Sequence, residues 1–280
     1  MSKQKRTWDV ILVVVMVLLC LLWIYPIVLI LLNSLKTEGS FTTSTVFRLP
    51  TAETFAGLRN YVYGVTKMDF LSSMGYSLLI TITSVVLILL CCSMTGWYLT
   101  RVNNKLSKFM NLLIVFSMVV PFQMVMFTLS KTADRLNLNN PWNICIIYLG
   151  FGAGLAVFMF TGFMKSVPGD LIEAAKIDGA NDREILFKIK IPMVMPSVTI
   201  CTFLTLTNSF KLFDQNVALT AGEPANASEM LALNIYNTFY GRSGAQWKGI
   251  GQAKAVVFFL IVVVISLIQL HFTRSKEVQQ

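Results

Sequence analysis

Ionisable side chains are scarce in this 280-residue chain: 13% of its residues are Asp, Glu, Lys or Arg, and six long stretches contain none. That scarcity excludes an ordinary soluble domain, because 55% hydrophobic residues exceed what one core can bury. Histidine occurs once, as His271, with no ligand partner nearby in sequence, so a metal site has no foundation here. The five cysteines, Cys20, Cys91, Cys92, Cys145 and Cys201, lack C-x-x-C spacing and all lie in apolar stretches. They read as buried small hydrophobes rather than redox or metal groups. No G-x-x-x-x-G-K-[ST] stretch exists, so this chain is not a P-loop ATPase. "GFGAG", from Gly150 to Gly154, lies mid-run with no strand before it, which favours helix packing over phosphate binding. An internal repeat of the kind that marks many secondary transporters is also missing.

What is present is membrane-grade hydrophobicity. The uncharged runs 10–32, 74–99, 109–129, 142–163, 191–210 and 255–272 each approach the length of a bilayer-spanning helix. The run 230–241 is uncharged too, but its 12 residues cannot cross a hydrocarbon core of roughly 30 Å. It belongs in an external loop or at the interface. The opening "MSKQKRTWDV" resembles the basic head of a secretion signal, yet the apolar run behind it is too long and has no small-residue cleavage site. An all-α integral membrane protein with six transmembrane helices in a single domain is therefore expected.

Of the 23 Lys and Arg residues, 13 fall in the short segments on one side: the N-terminal head, 101–108, 165–190 and the C-terminal end. The other 10 are spread over longer loops. By the positive-inside rule both termini are cytoplasmic. The net charge of +9 follows from this asymmetry and from attraction to anionic membrane lipid, and gives no reason to invoke nucleic acid. The external loops are then 33–73, 130–141 and 211–254. Gly150, Gly154 and Gly162 are expected on one face of the fourth helix, where a neighbour can approach closely. Pro26 and Pro121 sit within spans and can bend them.

One cytoplasmic segment, 165–190, stands apart by its charge. It contains most of "EAAKIDGANDREILFKIKIPMVMP", which runs from Glu173 to Pro196. Asp170 with Glu173, and Asn181 with Glu184, have capping-box spacing; Gly179 is a natural stop, and Pro192 is expected to end the second piece. Two short helices kinked at Gly179 result. Ala174, Ala175, Gly179 and Ala180 make the first of them slim, with Glu173, Asp178, Asp182 and Arg183 at its rim. Such a surface suits either a protein groove or, as an amphipathic helix, the inner leaflet, although its acidic residues fit an anionic membrane poorly.

The order Glu173-Ala174-Ala175, three residues, Gly179, nine residues, then Ile189-x-Ile191-Pro192 resembles the EAA loop of permease subunits in binding-protein-dependent ABC importers. Ile191 stands where that pattern usually has Leu. "VPGDLIEAAKIDGA", "NSFKLFDQNVALTAGEP" and "GQAKAVVFFLIVVVISLIQL" are similar to the carbohydrate branch, of maltose and multiple-sugar type. Up to Pro196 the chain looks more like the second permease of such a pair, and "FKLFDQNVALT" and "RSKEVQQ" look more like the first.

The resemblance implies the type I importer permease fold in a bacterial cytoplasmic membrane. Glu173, Ala174, Ala175, Asp178, Gly179 and Ala180 would be a coupling helix seated in an ATP-binding subunit, with Ile189 and Pro192 holding it to the bundle. ATP and Mg would reside on two such partner subunits, and a second permease would complete the path for a carbohydrate. Near the outer end of the fifth span, Asn208, Ser209, Lys211, Asp214, Gln215 and Asn216 are the densest polar cluster beside any run. Lys211 and Asp214 have the spacing of a helical pair, and Gln123 is a further polar group in the third run. These side chains suit hydrogen bonding to a sugar, or equally a helix cap and an interfacial salt bridge. Gly222, Glu223, Pro224 and Asn226, in "TAGEPANAS", would touch an extracellular or periplasmic sugar-binding protein. Tyr236, Phe239 and Tyr240 suit lipid headgroups or sugar faces. The competing reading, a self-sufficient secondary transporter or channel, calls for ionisable residues deep in the spans, and the six runs have none. A purely structural membrane scaffold leaves the charged loop unexplained.

Overall fold

The computed structural model describes residues 3–43, 45–223 and 226–275. Among these, regular structure is helical, with one isolated bridge between Lys36 and Phe55. In chain order the helices are α1 (Lys3–Ser34), α2 (Glu38–Thr43), α3 (Arg59–Thr66), α4 (Phe70–Arg101), α5 (Lys105–Ser117), α6 (Phe122–Arg135) and α7 (Ile144–Lys165). They continue as α8 (Gly169–Ile177), α9 (Asp182–Glu184), a π-helical segment (Ile185–Lys190), α10 (Ile191–Phe210), α11 (Asp214–Leu219), α12 (Leu231–Tyr240) and α13 (Gln246–Arg274).

Five helices are long and apolar enough to cross a membrane, and a sixth crossing is available only if the pair α5 and α6, bent by 105°, counts as one span. The third expected span, 109–129, is therefore not a straight helix. α5 ends at Ser117, and Pro121 caps α6 with φ −64° and ψ 141°, an extended conformation that no helix interior accepts. The missing N–H and fixed ring of proline account for the break.

By its contacts the chain divides into two compact units, with boundaries that cut through α4, α12 and α13. One unit is built from residues 1–71 and 234–260. Its α1 buries none of its most apolar stretch against the rest of the protein. Its order comes from polar clamps: Asn60 Nδ2 donates to the carbonyls of Ser34 (2.8 Å) and Lys36 (2.9 Å). Gly249 lets α13 approach them, since a Cβ there would stand 2.8 Å from Asn60 Nδ2 and 3.2 Å from the Lys36 carbonyl. Lys254, expected in a loop, lies inside α13 and is 1% exposed. Its Nζ donates to Met68 O (3.0 Å), Asn234 Oδ1 (2.6 Å) and Thr238 Oγ1 (2.9 Å). A buried amine needs such acceptors, because leaving its N–H groups unbonded would be costly.

The other unit, 72–233 with 261–280, is organised around α7, which packs on α5 and α10. Ile88 and Cys92 of α4, Ala156, Val157, Phe160 and Met164 of α7, and Val194 and Cys201 of α10 form one buried cluster. A second joins Ile80, Ala133, Ile144, Ile147, Tyr148, Leu219 and Met230. Without a hydrophobic gradient between lipid and helix, such contacts hold by close fit. Gly154 supplies part of it: a Cβ there would be 2.6 Å from Met118 Cγ and 3.2 Å from the Ile114 carbonyl. Gly150 and Gly162, expected to share this role, have nothing within 4 Å. The close approaches that were not expected are Gly152 on Ile88 and Gly96 on Phe160. Burial as small hydrophobes holds for Cys92, Cys145 and Cys201 but not for Cys20 and Cys91, which are exposed on their helices.

Candidate functional site

The charged segment 165–190 forms the hinge between α7 and α10. α8 starts after Pro168, so Asp170 and Glu173 do not make a capping box: the proline, with no side-chain donor or acceptor, occupies the cap position instead. The helix ends in a Schellman turn. Ala180 N donates to Ala175 O (2.9 Å), Gly179 N to Lys176 O (3.1 Å), and Gly179 has φ +84°. That left-handed conformation is why glycine stands there. The turn leaves Glu173, Ala174, Asp178 and Gly179 exposed and Ala175 and Ala180 half-buried, and α8 has no fully buried residue. Ile177 projects from it with 82% exposure.

Beyond the turn, Asn181 and Glu184 do form the expected capping box: Glu184 N donates to Asn181 Oδ1 (2.9 Å), and Asn181 N to Glu184 Oε2 (3.1 Å). Glu184 is also paired with Lys188 at 2.9 Å. This hydrogen bond, the backbone N–H of Asn181 and the Lys188 charge hold its carboxyl below the ordinary 4.5. Pro192 does not end the second piece, because the helix runs unbroken from Asp182 to Phe210. A proline inside an α-helix clashes with the carbonyl four residues earlier, and the wider π segment directly before Pro192 relieves that clash. Ile189 and Pro192 are half-buried, and the buried Ile185 anchors the start of the rod.

The hinge is tied down by residues that the sequence pattern did not single out. Trp97 of α4 meets two basic side chains over its ring, Arg101 Cζ and Lys190 Nζ, each 4.6 Å from its ring centroid. Arg101 Nη2 also donates to Val167 O at 3.0 Å. α4 and the base of α10 are thereby joined on either side of the protruding turn. No local signal marks this, since Trp97 and Lys190 are 93 positions apart and meet only through packing.

At the other end of α10, Asn208, Ser209, Lys211 and Asp214 line one cavity of about 450 Å³, together with Tyr148, Phe151 and Gln215. Gln123 lines a neighbouring cavity of about 680 Å³ that shares Phe213 and Asp214. Gln123 Nε2 donates to Asp214 Oδ2 (3.1 Å), so Asp214 stands between the two hollows. The helical pair of Lys211 with Asp214 does not form. Lys211 caps α10 and Asp214 opens α11, so the chain turns between them. Asn216 is on neither wall. It is fully buried, with Nδ2 donating to Ser228 O (2.8 Å) and Thr220 Oγ1 (3.0 Å) and Oδ1 accepting from Met230 N (2.9 Å).

Asn216 therefore shapes the loop that follows. Gly222 (φ +94°) and Asn226 (φ +61°) turn the backbone, and Ser228 Oγ donates to Glu223 O (2.7 Å). Glu223 and Asn226 are exposed, Gly222 is buried, and Pro224 lies outside the described residues. Ser73 Oγ to Glu229 Oε2 (3.4 Å) and Leu231 N to Ser77 Oγ (2.7 Å) fasten the loop to α4. Among the aromatics of α12, Tyr236 and Tyr240 are exposed, and the Phe239 ring lies 4.7 Å from that of Tyr240 at a tilt of 58°. Among the described residues, no three His, Cys, Asp or Glu side chains gather as a metal site.

With that geometry established, comparisons with known proteins are specific. Residues 92–278 match the family described as the binding-protein-dependent transport system inner membrane component. The chain is 32% identical over 250 residues to the probable starch degradation products transport system permease protein AmyC of Thermoanaerobacterium thermosulfurigenes, covering 89% of this chain and 87% of that one. Identity to AmyD of the same organism is 45% over 138 residues, a match spanning 49% of this chain and 46% of AmyD, about half its length. In solved structures, a chain of a bacterial ABC transporter that imports the acidic polysaccharide alginate superposes with TM-score 0.78 at 21% identity, covering 96% of this chain and 97% of that one. A chain of the alginate transporter in complex with its pentasaccharide-bound periplasmic protein gives TM-score 0.68 at 17% identity, covering 97% and 96%. These two share the fold. The family match covers well over half of the sequence and AmyC matches along nearly all of it, and so this chain belongs to the binding-protein-dependent ABC importer permeases, multi-pass inner membrane subunits that do not themselves hydrolyse ATP.

Proposed function

We propose that this protein is one of two permease subunits of an ATP-driven oligosaccharide importer, coupled to its ATP-binding subunits through the turn at Gly179. The observation that carries the reading is the exposed, slim protrusion Glu173–Ala180, closed by a Schellman turn and mounted on a rod that runs unbroken to Phe210. A rigid protrusion of this kind transmits displacement: when two ATP-bearing partners close, a seated α8 must move, and α10 moves with it. Glu173, Ala174, Ala175, Asp178, Gly179 and Ala180 are the contact, and Ile189 and Pro192 hold its base. The protrusion and both termini face the cytoplasm, in agreement with the 13 Lys and Arg residues on that side.

The sugar reading draws on AmyC and AmyD, whose names assign them to starch degradation products, and on the lining of the outer cavities. Amides and carboxylates such as Asn208, Gln123 and Asp214 bind neutral hydroxyls, and Phe151 and Phe213 offer apolar faces to a pyranose ring. The loop from Gly222 to Asn226 is the contact for a sugar-binding protein outside the membrane. ATP and Mg bind on the partner subunits.

The test is co-purification with the ATP-binding subunits of the importer. Gly179→Pro removes the N–H bonded to Lys176 and demands a negative φ where the backbone has +84°. The variant inserts normally and loses its partner; undiminished association would sink the coupling role.

A further inference from the structure

Between the ends of α4, α5 and α7 lies a cavity of about 310 Å³ that the transport reading does not use. Its wall carries two lysines, Lys108 and Lys165, and no carboxylate. Ser107, 5% exposed, is part of the wall, and its Oγ has no hydrogen-bond partner. Asn111 Oδ1, one turn further along α5, is likewise buried and unsatisfied. Orphaned buried polar atoms are rare and call for an explanation. The Ser107 and Lys108 N–H groups are already taken, by Asn104 Oδ1 (2.7 Å) and Asn104 O (3.2 Å), so the side chains define the recess. Two lysine charges and an unpaired buried hydroxyl in one recess describe a site for a phosphate-like anion, and the Asn111 oxygen beside them accepts from a hydroxyl of the same ligand.

The surroundings identify the carrier of that anion. α5 leads from the recess into the apolar run that begins at residue 109, and Phe109, Leu112 and Phe116 stand exposed on the side of the helix next to Lys108. A headgroup in the recess would thus have its acyl chains against an apolar helix surface. We propose that this cavity binds the headgroup of an anionic phospholipid, with its phosphate held by Lys108, Lys165 and the Ser107 hydroxyl, and a glycerol hydroxyl of the headgroup donating to Asn111 Oδ1. The proposal rests on the span assignment and not on the importer reading, so either can fail alone.

Native mass spectrometry of the full chain in neutral detergent tests it, with phosphatidylglycerol and phosphatidylcholine of matched acyl chains as probes. One phosphatidylglycerol is retained in preference to phosphatidylcholine, and Lys108→Gln with Lys165→Gln weakens its retention roughly thirtyfold, as expected for two lysines near a charged headgroup. Arg48→Gln with Lys248→Gln, an equal charge change at exposed sites elsewhere, leaves retention unchanged. Equal retention of both lipids, or equal loss in the control pair, overturns the proposal. Displacement by inorganic phosphate as potent as by the lipid would make this a free-anion site and overturns the lipid as occupant.

Discussion

Single residues set the hinge. At Gly179 a Cβ would meet nothing within 4 Å, so its constraint is the +84° φ and not space; the exposed surface stays free while the backbone is forced to turn. Glu184 makes the second half of the hinge sensitive to acid. Its carboxyl is held below the usual value by Lys188 and by the Asn181 N–H, so the folded state binds the proton less readily than the unfolded. The stabilisation is then complete above 4.5 and disappears as pH falls through the lowered folded value. Hydrogen exchange at the Asn181 and Glu184 amides, corrected for intrinsic rates, is expected to lose protection in that window, and Glu184→Gln to abolish the step. A pH-independent protection pattern in the native chain would refute it. Lys254 shows how a long polar side chain is retained in a helix about 12 Å from its start, because three acceptors from Met68, Asn234 and Thr238 meet it there.

Elements meet where side chains vanish. α7 can lie against α5 because Gly154 faces the Ile114 carbonyl, which cannot move aside as a flexible side chain could. Gly154→Ala is expected to cost about 1–3 kcal/mol through overpacking, read as a lower melting temperature in detergent, whereas Gly150→Ala, which faces open space, is neutral or slightly stabilising. Equal effects at both positions would remove the packing argument. The same scale explains two proline outcomes that local rules did not separate. Pro121 breaks its span because it follows the end of α5 in an extended conformation, and Pro192 interrupts nothing because a π segment precedes it. Both prolines were visible as helix breakers, and only the neighbouring geometry decides which one acts as such.

For the whole molecule, the proposed orientation has a direct readout. With the assembled importer in sealed vesicles, Lys176→Cys should react with an impermeant maleimide only from the cytoplasmic side and Arg48→Cys only from outside. The native thiols all lie on spans, where surrounding lipid or protein shields them from the aqueous reagent. Labelling of both positions from one side would refute the topology. At this scale the sequence was legible where hydropathy speaks: five of the six expected runs coincide with long helices. The hinge, too, was legible, because its capping box and its left-handed glycine are encoded within a few residues of each other. Asn216 was not, since a polar residue near a span end looks the same whether it lines a cavity or, as here, holds Ser228 and Met230 in place.

Chain order by itself determined the membrane spans, the turn at Gly179 and the absence of an ATPase, because each depends on residues that are neighbours along the chain. Tertiary structure alone decided which glycines admit a neighbouring helix, that Gln123 meets Asp214, that Trp97 holds two cations, and that Lys254 can be buried. Those outcomes depend on partners dozens of positions away, and no periodicity records which distant side chains will share a space.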